Sequence, residues 1–285
     1  MKRRFDKPQA PAPAPAPSHR LVTSLTNPLI KDIRALGMRK VREEAGLFVA
    51  EGLKLVADAI DGGWPIRILV HRSGEQRPML SEAIAATRRA GGEVLEVTGE
   101  ILEKLSRRDN PQTVIGVFRQ RLEPLSRLTI QGEALWIGLD RVRDPGNLGT
   151  IIRTADAVGA EGVILIGDTT DPFGIEAVRA TMGSIFNVRL AAGSAAEFLD
   201  WRKRFSGRVV GTHLAGATDY RKVDYRGPRL LLMGNEQQGL PDELVRACDD
   251  LVKIPMRGRA DSLNLAVATG VMLFEMARDR LDLPD

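Results

Sequence analysis

Short apolar runs alternate with amphipathic stretches through the second half of the chain, and three of their junctions share a form. Residues 134–139, 230–233 and 251–255 have the length and composition of core strands, and each passes through a polar, glycine-bearing loop into a helical pattern. After 134–139, a helix is predicted with Leu148, Ile151, Ile152, Ala155 and Val158 on its apolar stripe. Gly149 and Arg153, four apart, share a different face; the glycine would admit a backbone or ligand, and the arginine offers a fork suited to phosphate. After 230–233 come Gly234, Asn235 and Glu236, then Gly239, with Pro241 opening the next helix. After 251–255, Gly258 frees the loop and Ser262 stands at an N-cap-like position. Asn264 then falls in the first turn of a helix whose Leu263, Val267, Val271, Phe274 and Arg278 lie on one face.

In open α/β sheets, ligands bind in the crevice beyond the carboxyl ends of the strands. Three such loops converging there predict one site. The first half alternates similarly, with strands expected at 46–52, 66–71, 93–97 and 113–119 and helices after Pro28 and near 52–61 and 80–90. That is a small α/β domain of about a hundred residues. The expected organisation is a tail over 1–20, a first domain over 21–121, a linker over 122–133 and a second domain over 134–285.

Composition changes this picture little. The net charge of +4 lies in the tail: setting aside Lys2, Arg3, Arg4, Lys7, Arg20 and Asp6 leaves 36 basic and 36 acidic residues. A neutral body holds phosphates only if its cations gather on one face. Arg34, Arg39, Lys40 and Arg42 form one candidate patch, Arg257 and Arg259 another. The Ala-Pro repeats ending at Pro17 predict a disordered, extended arm. No run suits a membrane span or a secretory signal, which points to the cytoplasm. Cys248 is the only cysteine and His19, His71 and His213 are scattered, so neither a disulfide nor a metal site is expected.

Taken together, the three junctions resemble the motifs of SpoU-type (TrmH-like) RNA ribose 2′-O-methyltransferases of the SPOUT superfamily. Asn147, Gly149 and Arg153 match the first motif; Gly234, Asn235, Glu236 and Gly239 the second; Ile254, Pro255 and Met256 with Ser262, Leu263 and Asn264 the third. The N-terminal half looks like the substrate-binding domain that precedes many such catalytic domains. The segment around Ala180–Arg189 resembles the family's small-residue turn, with Arg189 where many relatives have proline; an edge-strand position suits it better than an RNA contact.

The resemblance implies a trefoil-knotted, parallel-sheet α/β domain preceded by a small α/β RNA-binding domain. It also implies S-adenosyl-L-methionine as methyl donor and a homodimer, without metal or membrane. By the same resemblance the donor would lie against Gly234, Ile254, Met256 and Leu263, with Arg153, Asn147, Glu236, Ser262 and Asn264 around the reaction centre. A guanidinium offers no acceptor, so Arg153 suits a phosphate clamp and stabiliser of a developing alkoxide, with Glu236 or water taking the proton. The two-domain plan favours 23S rRNA as substrate over tRNA. A catalytically silent RNA-binding protein and a base methyltransferase are the alternatives. A dinucleotide oxidoreductase is disfavoured, because 146–149 lacks the third glycine of that fingerprint.

Overall fold

In the computed structural model, the described residues are 21–106, 112–213, 216 and 218–281. They fall into two units, those of Met1–Gln120 with Phe173–Ile175 and those of Arg121–Pro172 with Glu176–Asp285. The Ala-Pro arm lies outside the described residues.

The first unit is a five-stranded sheet with five helices. In chain order these are β1 (Leu21–Val22), α1 (Pro28–Ala35), α2 (Arg39–Ala45), β2 (Leu47–Glu51), α3 (Leu53–Asp61), β3 (Ile66–Arg72), α4 (Pro78–Arg89), β4 (Glu93–Val97), α5 (Gly99–Ser106) and β5 (Val114–Arg119). The strand order is β1-β4-β3-β5-β2, with β5 antiparallel to both its neighbours. Asn27 caps α1 by accepting from the Leu29 amide at 2.9 Å, and Pro28 follows at the first helical position, where its missing N–H costs nothing. Gly46 ends α2 at φ 62, a left-handed position that suits a residue without a Cβ. Of the expected cationic patch, Arg34, Arg39 and Lys40 are exposed, while Arg42 is withdrawn into the core. Arg39 pairs with Glu43 at 2.8 Å, Lys40 reaches Glu44 at 4.0 Å, and buried Arg42 donates to the Leu36 carbonyl at 2.7 Å.

The second unit carries the site. Its elements are β6 (Glu123–Pro124), β7 (Leu135–Asp140), α6 (Pro145–Ala157), β8 (Gly162–Ile166), α7 (Ile175–Ala180), β9 (Arg189–Gly193), α8 (Ala195–Arg202), β10 (Arg208–Thr212), β11 (Thr218–Asp219), β12 (Arg229–Met233), α9 (Asp242–Val245), β13 (Asp250–Lys253) and α10 (Leu265–Ala277). The strand order is β11-β13-β10-β12-β7-β8-β9-β6, and every pairing is parallel. A parallel sheet covered on both faces needs strands apolar throughout, which is why β7, β8 and β12 are buried along their whole length. Segment 122–133, expected as a linker, supplies β6 and the buried Leu125 and Leu128 to this core.

Gly149 admits the close approach of a backbone, one of the two partners expected: an added Cβ would stand 2.5 Å from the Ala177 carbonyl oxygen of α7. Two other readings are altered by the fold. Arg189 lies one strand in from the edge, covered by the two-residue β6. It is spent on structure, bonding Glu123 at 3.0 Å and Glu161 at 2.6 Å over the Trp136 ring. The face of α10 carrying Val267 and Phe274 points outward, both residues about half exposed, while Leu265, Ala266, Thr269, Met272, Leu273 and Met276 are buried. That helix is apolar on most sides, so periodicity alone could not say which side the sheet takes.

At its far end α10 is tied to the sheet by Arg229. This buried guanidinium donates to the carbonyls of Met276 and Gly227, each at 2.9 Å, and its burial depresses its pKa. Among the described residues, no helix is long and apolar enough to cross a membrane, and no three His, Cys, Asp or Glu gather as a metal site.

Candidate functional site

The carboxyl ends of β10, β12 and β13 open into one cleft of about 800 Å³, beside the point where the sheet order turns between β12 and β7. Eight of the nine expected site residues line it: Asn147, Gly234, Glu236, Ile254, Met256, Ser262, Leu263 and Asn264. Arg153 does not. It sits on the solvent side of α6, whose buried side carries Leu148, Ile151, Ile152 and Ala155.

Each loop is shaped by a local device. The Asp144 carboxylate caps α6 by accepting from the Asn147 amide at 2.6 Å, which brings Asn147 to the first turn at the cleft mouth. Asn235 folds its own loop: Oδ1 accepts from the amides of Gln237 and Gln238 at 3.0 and 3.2 Å, and Nδ2 donates to the Arg141 carbonyl at 2.9 Å. The loop then closes on itself so tightly that a Cβ at Gly234 would stand 2.2 Å from the carbonyl carbon of Gly239. The third loop is capped by Asn264, not Ser262. Its Oδ1 accepts from the amides of Ala266 and Val267 at 2.9 and 3.3 Å, so α10 begins at Leu265 and Ser262 is left as an exposed wall residue.

One chain of hydrogen bonds joins all three loops. Asn264 Nδ2 donates to Asn147 Oδ1 at 3.0 Å, and Asn147 Nδ2 donates to Glu236 Oε1 at 3.3 Å. The first amide is thus occupied on both sides, and the carboxylate retains Oε2 for another partner. Below this polar rim the walls are apolar, formed by Met233, Val252, Ile254, Leu265 and Ala268. Apolar walls with a few fixed polar groups, at this volume, suit a nucleoside-sized ligand such as S-adenosylmethionine.

Thr212 and His213 at the end of β10, and Lys253 at the end of β13, also line the cleft. No motif marked Thr212 and His213, whose sequence signal was the short apolar run preceding Thr212, while Lys253 falls within the strand expected at 251–255. Arg257 and Arg259, the second candidate patch, are exposed on the loop that leads to Asn264.

The geometry agrees with comparisons to known proteins. The SpoU rRNA Methylase family profile matches residues 134–274, and an MRM3-like substrate binding domain matches 27–116. A 23S rRNA (uridine(2479)-2′-O)-methyltransferase of Streptomyces viridochromogenes is 34% identical over 93% of this chain and 94% of its own length. A 23S rRNA (guanosine(2553)-2′-O)-methyltransferase of Bacillus subtilis is 28% identical over 90% of this chain and 98% of its own. The crystal structure of an AdoMet-bound rRNA methyltransferase from Sinorhizobium meliloti is 55% identical, covers 92% of this chain and 99% of that one, and superposes with a TM-score of 0.87.

Proposed function

The chain belongs to the SpoU rRNA methylase family, and we propose that it transfers a methyl group from S-adenosyl-L-methionine to a ribose 2′-hydroxyl of 23S rRNA. The observation that carries this reading is the chain from Asn264 through Asn147 to Glu236 at the mouth of the cleft. The bound donor supplies a methyl made electrophilic by its sulfonium. The acceptor hydroxyl is a poor nucleophile until it loses its proton, so the protein must orient the ribose and receive that proton. Glu236 is placed to do so through Oε2, since Asn147 holds Oε1 and fixes the carboxylate in position. Asn264 in turn fixes the Asn147 amide with its own oxygen toward Asn264 and its NH2 toward Glu236. Gly234, Ile254, Met256 and Leu263 would hold the donor, and Ser262 stands near the rim.

Arg153 enters through a second copy of the chain. It is exposed on α6, outside its own cleft, and α10 packs beside it, where a Cβ added at Gly270 would meet Thr154 at 3.8 Å. The half-exposed Val267 and Phe274 on α10 give that surface an apolar character that a symmetric dimer would cover. In such a homodimer, Arg153 of one protomer clamps an RNA phosphate at the other's cleft and stabilises charge on the attacking oxygen. The site of action is cytoplasmic, as the substrate requires.

The test is transfer of labelled methyl from S-adenosylmethionine to total RNA from a strain lacking this gene, fractionated by size. Alkali-resistant label at one position of 23S rRNA, absent with Arg153→Ala, is the expected result. Label confined to tRNA would reassign the substrate. Donor binding without transfer to any RNA or ribosomal particle would leave a silent binding protein.

A further inference from the structure

A second, smaller cleft of about 440 Å³ lies beside the first, walled by Arg141, Arg143, Asp144 and residues 235–238. Glu236 fronts both, so the loop carrying it is the partition between them. The second cleft therefore opens onto the proton-accepting carboxylate from the side away from the donor.

Arg141 is built into this wall. Its φ of 49 is left-handed, an unfavourable conformation for a residue with a Cβ, which a structure keeps only where its surroundings enforce it. The enforcement is visible: its amide donates to the Ile166 carbonyl at 3.0 Å, and its own carbonyl accepts from Asn235 Nδ2 at 2.9 Å. The guanidinium is equally fixed. Nε and Nη2 both reach Oδ2 of buried Asp140 at 2.9 Å, and Nη1 donates to Gln238 Oε1 at 2.9 Å. Of the five N–H donors an arginine carries, two remain. Arg143 is exposed and paired with exposed Asp168 at 2.7 Å, a surface pair that a competing anion can displace. The acid of this cleft other than Glu236, Asp144, directs Oδ1 to the amide of Asn147.

A ribose in an RNA chain carries a phosphate on each side, and its 2′-hydroxyl neighbours the carbon bearing the 3′-phosphate. A hydroxyl presented to Glu236 thus brings a phosphate close on the side that the donor does not fill. We propose that the second cleft is the seat of an RNA backbone phosphate flanking the target ribose, with Arg141 as its preset donor and Arg143 as its mobile one. The inference rests on the RNA substrate reading above. It gives this flanking phosphate a partner within the chain, distinct from the clamp assigned to Arg153 across the dimer.

The test measures binding of the full-length protein to 23S rRNA from a strain lacking the gene, over a series of KCl concentrations. Binding of S-adenosylmethionine by calorimetry and the melting temperature are followed in parallel. For R143Q, and for R141Q/R143Q if it melts as wild type, RNA affinity falls about tenfold while donor affinity holds. The slope of log affinity against log salt shrinks by about one per arginine removed. Unchanged affinity and slope would overturn the proposal while leaving the RNA reading intact. Weaker binding with an unchanged slope would also overturn it, because the arginines would then be reading a base. Should R141Q destabilise the loop, R143Q alone decides. Absence of RNA binding and of methyl transfer by wild type would overturn the substrate reading, and this proposal with it.

Discussion

Asn264 donates to Asn147 at 3.0 Å across 117 residues of chain, and at the same time its carboxamide oxygen caps the helix that follows it. One side chain thereby sets both the start of α10 and the orientation of the residue that holds Glu236. The two duties can be separated by substitution. Asn264→Asp keeps a cap acceptor but loses the donor to Asn147, so stability stays near wild type while kcat falls. Asn264→Ala loses both, with about 1 kcal/mol less stability in urea unfolding. Equal kcat for Asn264→Asp and wild type would deny the relay any part in turnover.

Removing the middle of the relay acts on turnover and not on donor binding. Asn147→Ala frees the Glu236 carboxylate to rotate, and kcat is expected to fall by about 10²–10³. S-adenosylmethionine affinity by calorimetry stays within a few-fold of wild type, since the apolar walls of the cleft are untouched.

Gly234→Ala is a steric test of the second loop. With a Cβ placed 2.2 Å from the Gly239 carbonyl carbon, backbone must shift, because no flexible side chain can yield. Denaturant unfolding should show a loss of about 1–3 kcal/mol, accompanied by weaker donor binding. Gly258→Ala, with nothing within 4 Å of its added Cβ, serves as the control.

Arg153 acting across a dimer predicts complementation. Arg153→Ala and Glu236→Ala homodimers are each inactive, yet mixed after subunit exchange they regain about a quarter of wild-type activity, since half the dimers are mixed and each has one complete site. No recovery despite demonstrated exchange would place Arg153 in its own subunit's chemistry or outside it altogether.

Cys248 gives a pH-dependent signature. Burial, ahead of the neighbouring Asp249 charge, pushes its thiol up to about 12. An unfolded cysteine titrates near 8.5. A folded pKa raised above the unfolded one gives stability that is whole below the unfolded value and is lost as pH climbs toward the folded one. Wild type should therefore lose stability between about pH 8.5 and 12 relative to Cys248→Ser. Maleimide labelling of the native protein near pH 8 should be slow and accelerate on unfolding. Rapid native labelling would contradict the burial.

What the sequence determined by itself is local. β7 and β12 were legible because a parallel strand buried along its length is mostly apolar, whereas β13, Asp250–Lys253 with only Val252 buried, was read from a short apolar run that the fold shifts toward its N-terminal side; each loop after them announced itself by glycine and amide residues. Eight of the nine residues expected from those junctions line the cleft. Tertiary structure decided the rest. The order β13-β10-β12-β7 brings Asn147, Glu236 and Asn264 together, and no local pattern encodes strand order. The side of α10 that turns inward was likewise undetermined, because Val267 and Phe274 are as apolar as the residues it buries. So was the outward placement of Arg153, fixed by which face of α6 the sheet covers, and the strained Arg141, whose φ depends on contacts to Ile166 and Asn235 from distant strands and loops. Spacing says which residues share a face; only packing between distant segments says what that face meets.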